Sequence, residues 1–169
     1  MAESSLSLHA VEPDDVDFML ECEADSQASR WSDYPAPFSR QQLLDYALSY
    51  DADPFSAGQL RLIAKDSSGQ SVGILDLFNI SSADRKAYVG ILIHPGYRER
   101  GFGIKALLSL SEFCKERLGL NQLLAEISTQ NPGALRLFSK AGYETLVVLP
   151  SWHRIGQRLH DFALLRLPL

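Results

Sequence analysis

Val89-Gly90-Ile91-Leu92-Ile93-His94-Pro95-Gly96-Tyr97-Arg98-Glu99-Arg100-Gly101-Phe102-Gly103-Ile104-Lys105 joins an apolar strand to a helix through a turn of glycine and arginine. The strand half is the near-continuous apolar run of a buried position. In the helix half, over 103–118, Ile104, Leu107, Leu108, Cys114 and Leu118 recur at helical spacing, and Gly119 stops the helix. Glycine at a helix start lets the backbone approach a ligand closely. The free N–H groups and the positive dipole end there attract phosphate. Arg98, Arg100 and Lys105 add charge to the same turn. Taken alone, the segment reads equally as a phosphate cradle and as a connector with solvated arginines.

Outward from this turn the periodicity changes. Before it, strands over 59–65, 71–80 and 87–93 are separated by Asp66-Ser67-Ser68-Gly69 and by a polar turn over 81–85, which predicts an antiparallel meander. Earlier still come a strand over 6–11 and an acidic helix over 14–24 with Val16, Met19 and Leu20 on one side. A loop rich in aromatics follows over 25–38, then a helix to residue 50 that starts at a Ser39/Gln42 capping box. After the turn come a strand over 122–128 and a helix to Ala141 with Asn131-Pro132 at its start. Two final strands over 143–149 and 159–167 flank a loop tipped by Ile155-Gly156-Gln157. The expectation is an α/β chain: one domain over 1–169, a mostly antiparallel sheet of six to seven strands, and helices on both faces.

Composition removes several classes. The 169 residues carry a net charge of −5, without the basic footprint that nucleic acid requires. The charge is uneven: 15 acidic and 4 basic residues over 1–84, against 6 acidic and 12 basic over 85–169. Cys22 and Cys114 share no redox or metal spacing, and neither do His9, His94, His153 and His160, so no metal is expected. There is no G-x-S-x-G elbow. Residues 1–10 lack the basic and apolar regions of a signal peptide, and no apolar run approaches the ~18 residues of a membrane span. A cytoplasmic protein with no membrane partner is expected.

Two readings compete for the glycine turn. Gly101, Gly103 and Ala106 fit a G-x-G-x-x-A dinucleotide fingerprint, with Glu126 as ribose acceptor. Three antiparallel strands before the turn and a single crossover after it argue against that fold. The second segment, Asn131-Pro132-Gly133-Ala134-Leu135-Arg136-Leu137-Phe138-Ser139-Lys140-Ala141-Gly142-Tyr143, decides the matter. Together with Arg98-x-x-Gly101-x-Gly103 it resembles the GCN5-related N-acetyltransferase (GNAT) superfamily. There the first motif is Arg/Gln-x-x-Gly-x-Gly/Ala and the second is Asn-x-x-Ala-x-x-Leu-Tyr/Phe-x-x-x-Gly-Phe/Tyr. Gly73-Ile74-Leu75-Asp76-Leu77 and the Gly156-Gln157…Asp161 ending look similar to the polyamine branch and its ribosomal-protein-acetylating relatives.

The resemblance implies acetyl-CoA as acyl donor, held in a gap between parallel strands over 87–93 and 122–128. It assigns Ile91, Leu92 and Ile93 to the pantetheine arm. Arg98, Glu99, Arg100, Gly101, Phe102, Gly103 and Ile104 fall to the pyrophosphate, and Asn131, Ala134, Phe138 and Lys140 to the opposite wall. It further implies direct attack by a primary amine in a ternary complex, the amine belonging to a small polyamine-like or amino-sugar molecule or to a protein N-terminus. A homodimer is expected by family habit only. Two departures matter. Many members carry Tyr where this chain has Phe138, which cannot protonate a leaving thiolate, so Tyr143, Tyr88 or Ser139 would have to substitute. Relatives often carry Glu where this chain has Tyr88. That leaves Asp76, inside an apolar run, or a water relay as base. The expected catalytic pair is Asp76 and Tyr143. Trp31, Tyr34 and Trp152 are the expected acceptor-binding aromatics. With Phe138 in place, a non-catalytic acyl-CoA-binding module is the alternative, and a dinucleotide-dependent oxidoreductase a lesser one.

Overall fold

In a computed structural model, which describes residues 6–31, 36–49 and 53–169, alternating side chains assign β2 (Gln59–Lys65) and β3 (Ser71–Ser81) two different faces. Leu60, Leu62, Leu75 and Leu77 turn one way. Arg61, Ile63, Ile74 and Asp76 turn the other, as the period of two requires. β1 (Ser7–Ala10) pairs with β2, and β3 with β4 (Lys86–Ile93), all antiparallel. β5 (Gln122–Ser128) joins β4 in parallel, while β6 (Glu144–Ile155) and β7 (Arg158–Pro168) form a closing hairpin. Among the described residues, seven strands lie in the order β1-β2-β3-β4-β5-β7-β6. The mostly antiparallel mixed sheet expected from the sequence is therefore the observed one.

One face is covered by α5 (Phe102–Glu116) and α6 (Pro132–Lys140), the other by α1 (Val16–Glu23) and α3 (Arg40–Leu48). α5 inserts Ala106, Leu107, Leu110 and Cys114 against Leu75, Leu77 and Leu123. α1 sets Val16, Met19 and Cys22 against Ile63 and Ile74, beside Leu43 and Ala47 of α3. The Ser39/Gln42 box is closed by both of its bonds, Gln42 N–H to Ser39 Oγ at 3.1 Å and Ser39 N–H to Gln42 Oε1 at 2.8 Å.

Three expectations change. Two four-residue helices, α2 (Ser26–Ser29) and α4 (Pro54–Ala57), lie outside the helices that the sequence predicts, each opened by an aspartate cap. β6 continues past residue 149 to Ile155. Its register slips between Leu149 and His153, where the Asp161 carboxylate accepts from the Ser151 N–H at 2.8 Å. α5 begins one residue earlier, at Phe102, and ends at Glu116.

Candidate active site

The β4/β5 ladder is short: Lys86↔Gln122, Ala87↔Leu123 and Tyr88↔Leu124. Beyond Tyr88 the strands separate. β4 stays paired with β3 as far as Ile93, and β5 with β7 as far as Ser128. The inner edges beyond that point leave main-chain donors and acceptors facing a slot, and such groups need partners. Gly90 to Ile93 are only half-buried along it. An extended ligand carrying its own amides suits the slot, by the same pairing that adds a strand to a sheet edge.

At the slot's end the chain makes a 3-10 turn (Pro95–Tyr97) and two left-handed residues, Glu99 at φ 59° and Gly101 at φ 80°. α5 then starts with no side-chain cap and no acid in its first turn. Its first N–H groups therefore point outward from a fifteen-residue helix, a site for an anion. Gly103 has a packing reason as well. A Cβ there would sit 3.1 and 3.2 Å from the Leu137 methyls, so its absence lets α5 approach α6.

Two of the turn's cationic side chains, Arg98 and Arg100, already have protein partners. Arg98 donates to Asp25 Oδ2 at 2.6 Å, to Gln27 Oε1 at 3.2 Å and to the Ile93 carbonyl at 3.0 Å. It ties the turn to the start of α2 and is not aimed at a phosphate. The Asp25 carboxyl is held below its ordinary range, first by this Arg98 bond and then by the Ala28 amide. Arg100 lies over the Tyr97 and Phe102 rings at 5.4 Å from each. On the opposite wall, Asn131 Oδ1 accepts from the Ala134 N–H at 3.1 Å and caps α6. Ala134 is half-buried in the first turn. Lys140 is in the last turn of α6, roughly 12 Å along the axis from the helix start at 1.5 Å per residue.

Neither expected catalytic residue is presented as a free acid or base. Asp76 does face the α1 side, opposite Gly90 of β4. Arg61 holds it bidentately, at 2.7 and 2.8 Å, and reaches Glu23 at 2.9 Å with its remaining nitrogen. A carboxylate fixed in this way is a poor general base. Tyr143 is buried edge-on against Phe138, centroids 4.9 Å apart, and its hydroxyl has no partner among the described residues. Burial, with Cys114 nearby, pushes its ionisation well above the ordinary tyrosine value. It is a core residue, as is Phe138. Of the aromatics, Trp31 is half-buried just after α2, Tyr34 lies outside the described residues, and Trp152 is half-exposed on β6.

Trp152 leads to a group that the sequence reading did not assemble. Its Nε1 donates to Glu126 Oε2 at 3.2 Å, and His153 Nε2 bonds the same oxygen. Glu126 follows Leu124 by two residues on β5, so it shares the face of Tyr88, Gly90 and Asp76 and lies one step into the slot. The available signal is an acid, Glu126, inside the apolar stretch Leu123-Leu124-Ala125-Glu126-Ile127 of the strand. Among the described residues no group of His, Cys, Asp and Glu could hold a metal ion. No helix of the described residues is long and apolar enough to cross a membrane.

Comparison with known proteins agrees with this geometry. Residues 5–144 match the family model described as an acetyltransferase (GNAT) domain. The chain is 22% identical over 141 residues to spermidine N(1)-acetyltransferase of Vibrio cholerae, covering 83% of this chain and 79% of that one. It is 20% identical over 159 residues to the protein of the same name from Escherichia coli K12, covering 94% and 78%. The solved Vibrio cholerae spermidine N-acetyltransferase in complex with CoA and spermine shares the fold, with a TM-score of 0.85 over 97% of this chain and 95% of that one, at 20% identity.

Proposed function

The chain belongs to the GNAT acetyltransferase family and is an acetyl-CoA-dependent N-acetyltransferase, and from that premise we propose that its acceptor is a primary amine of a polyamine. The reading takes residues 1–169 as a single such domain. Membership also removes the oxidoreductase alternative, and a sheet with one short parallel ladder is no dinucleotide-binding sheet.

The observation that carries the reading is the three-pair ladder, opening beyond Tyr88 onto an uncapped helix start. The slot fits an extended amide-bearing arm, through the edges of Ile91 to Ile93 and of β5. The N–H groups from Gly101 to Ile104 fit a pyrophosphate. Bound acetyl-CoA supplies an activated acetyl group as a thioester. The chain's own part is to orient that group, to donate main-chain N–H groups toward developing negative charge, and to accept a proton from the amine.

Two features support a cationic acceptor. Glu23 and Asp76 share one guanidinium, so this face keeps one carboxylate in excess beside Gly90. Glu126 adds a second across the slot, bonded to two aromatic side chains. The names of the curated relatives point to the same acceptor class. The test is thiol release from acetyl-CoA with spermidine, an amino sugar and a peptide bearing a free N-terminus. Release with spermidine is expected. Release only with the amino sugar or the peptide would replace the acceptor, and release with none would remove the proposal.

A further inference from the structure

We propose that His153, oriented by Glu126, takes the proton from the attacking amine. The inference deepens the function above and rests on the acceptor being an amine. Asp76 is clamped by Arg61, Tyr143 is sealed in the core, and Tyr88 stacks on Phe78 with centroids 5.7 Å apart. His153 is differently placed. Its Nε2 meets the Glu126 carboxylate, and its ring stands edge-on to Phe162 of β7, with centroids 4.8 Å apart. Phe162 pairs with Ser128, two residues on from Glu126 and on the same face, at the end of β5 where the slot is open.

The two sides of this pair are unequally exposed: the His153 side chain at 40%, Glu126 at 21%. The carboxylate is the more sheltered member and the imidazole the more accessible one. With Nε2–H donated to the carboxylate, Nδ1 carries the lone pair and serves as acceptor. The other titratable groups nearby are accounted for. His160 faces His153 from β7, Asp161 turns to the Ser151 amide, and Arg154 turns to the Gly156 carbonyl at 3.0 Å. Glu126 is thus the charged group bonded to the ring. The step balances. The amine nitrogen bonds to the acetyl carbon, and the C–S bond breaks with its electron pair on sulfur. The proton leaving nitrogen passes to Nδ1 and then on to the thiolate, returning the ring to its starting form.

The test uses the full chain. With acetyl-CoA and spermidine, His153→Gln is expected to lower kcat by about 100-fold, the low end for a lost general base. It should also make the acid limb of the kcat/KM profile less steep by about one proton, leaving only the limb set by spermidine's own ionisation, with KM for acetyl-CoA within a factor of two. Glu126→Ala should lower kcat, and Glu126→Gln should recover part of it, because its carbonyl still accepts from Nε2–H. A His153→Gln enzyme that keeps the full steepness of its acid limb and only raises KM for the amine would overturn the inference and leave the ring a binding surface. A second measurement does not depend on the acceptor. In wild-type NMR spectra the His153 ring signals, identified by their loss in His153→Gln, should move with acetyl-CoA and stay fixed with adenosine 3′,5′-bisphosphate, which lacks the thioester arm. Unmoved signals with both would also overturn it. Inactivity of the wild type toward every amine, with the ring signals moving as expected, would fault the acceptor proposal alone.

Discussion

Arg61 donates to Asp76 through two nitrogens and meets Glu23 through a third, so the three side chains act as one unit on the α1 face. Desolvation opposes the buried guanidinium's charge, but Asp76 and Glu23 more than offset it and hold its proton more tightly than usual. This arrangement decides what Asp76 can do. An acid within Ile74-Leu75-Asp76-Leu77-Phe78 invites a catalytic reading from sequence, because nothing in that run offers a partner. The partner is Arg61, fifteen positions away and directly opposite in the β2/β3 register. Asp76→Asn is therefore expected to keep the acid limb of the pH–rate profile. It should destabilise the fold by about 1.5–3 kcal/mol, the range for hydrogen bonds to a charged group. Urea unfolding and a kcat/KM titration on the same variant check both parts, and a flattened limb would return Asp76 to the role of base.

At the scale of elements, capping chemistry and strand alternation carried the reading furthest. The Ser39/Gln42 box, the Asn131 cap and the glycine stop at Gly119 each act within a few residues, so the sequence displays them whole. The four-residue helices α2 and α4 are too short to show a period. The second half of β6 was hidden by Pro150 and by a slip that depends on Asp161 of another strand. The glycine turn lies between these cases: its anion-binding character is local, whereas Gly103 answers to Leu137 on a different helix. The two glycines should therefore separate in experiment. Gly103→Ala is expected to cost about 1–3 kcal/mol by forcing α5 from α6, and Leu137→Ala should recover much of that in the double variant. A Cβ at Gly101 would meet no neighbour within 4 Å, but the residue there must hold a left-handed φ of 80° at the helix mouth. Gly101→Val should therefore weaken acetyl-CoA binding disproportionately to its loss in melting temperature. Calorimetric titration beside thermal unfolding reads both, and equal ranking of the variants in the two assays would remove the turn as the anion site.

Over the whole molecule, an acidic first half and a basic second half invite the assignment of separate surfaces to a cationic acceptor and a polyanionic donor. Pairing modifies that picture. The acids along α1 and its end are matched one by one: Asp17 with Arg40 at 2.8 Å, Glu21 with His94 at 3.1 Å, Glu23 with Arg61 at 2.9 Å and Asp25 with Arg98 at 2.6 Å. Two of these pairs join the halves, a fact that composition cannot register because it depends on α1 folding back beside the end of β4. Beside the slot, the unbalanced negative charge lies at Asp76 with Glu23, which share Arg61, and at Glu126. The Asp25–Arg98 pair also gives the whole fold a pH signature. Asp25 ionises more easily in the folded chain than its ordinary value of 3.8, chiefly through the Arg98 bond. A depressed folded value means stabilisation that is full well above 3.8 and fades as pH falls through the lower folded value. Wild type should therefore exceed Asp25→Asn in urea midpoint by a constant margin from pH 7 to pH 5, and the margin should narrow toward pH 3. A margin that persisted undiminished at pH 3 would show that the carboxylate's charge contributes nothing and that Asp25 acts through its α2 cap alone, since a cap made by a neutral side-chain oxygen does not titrate.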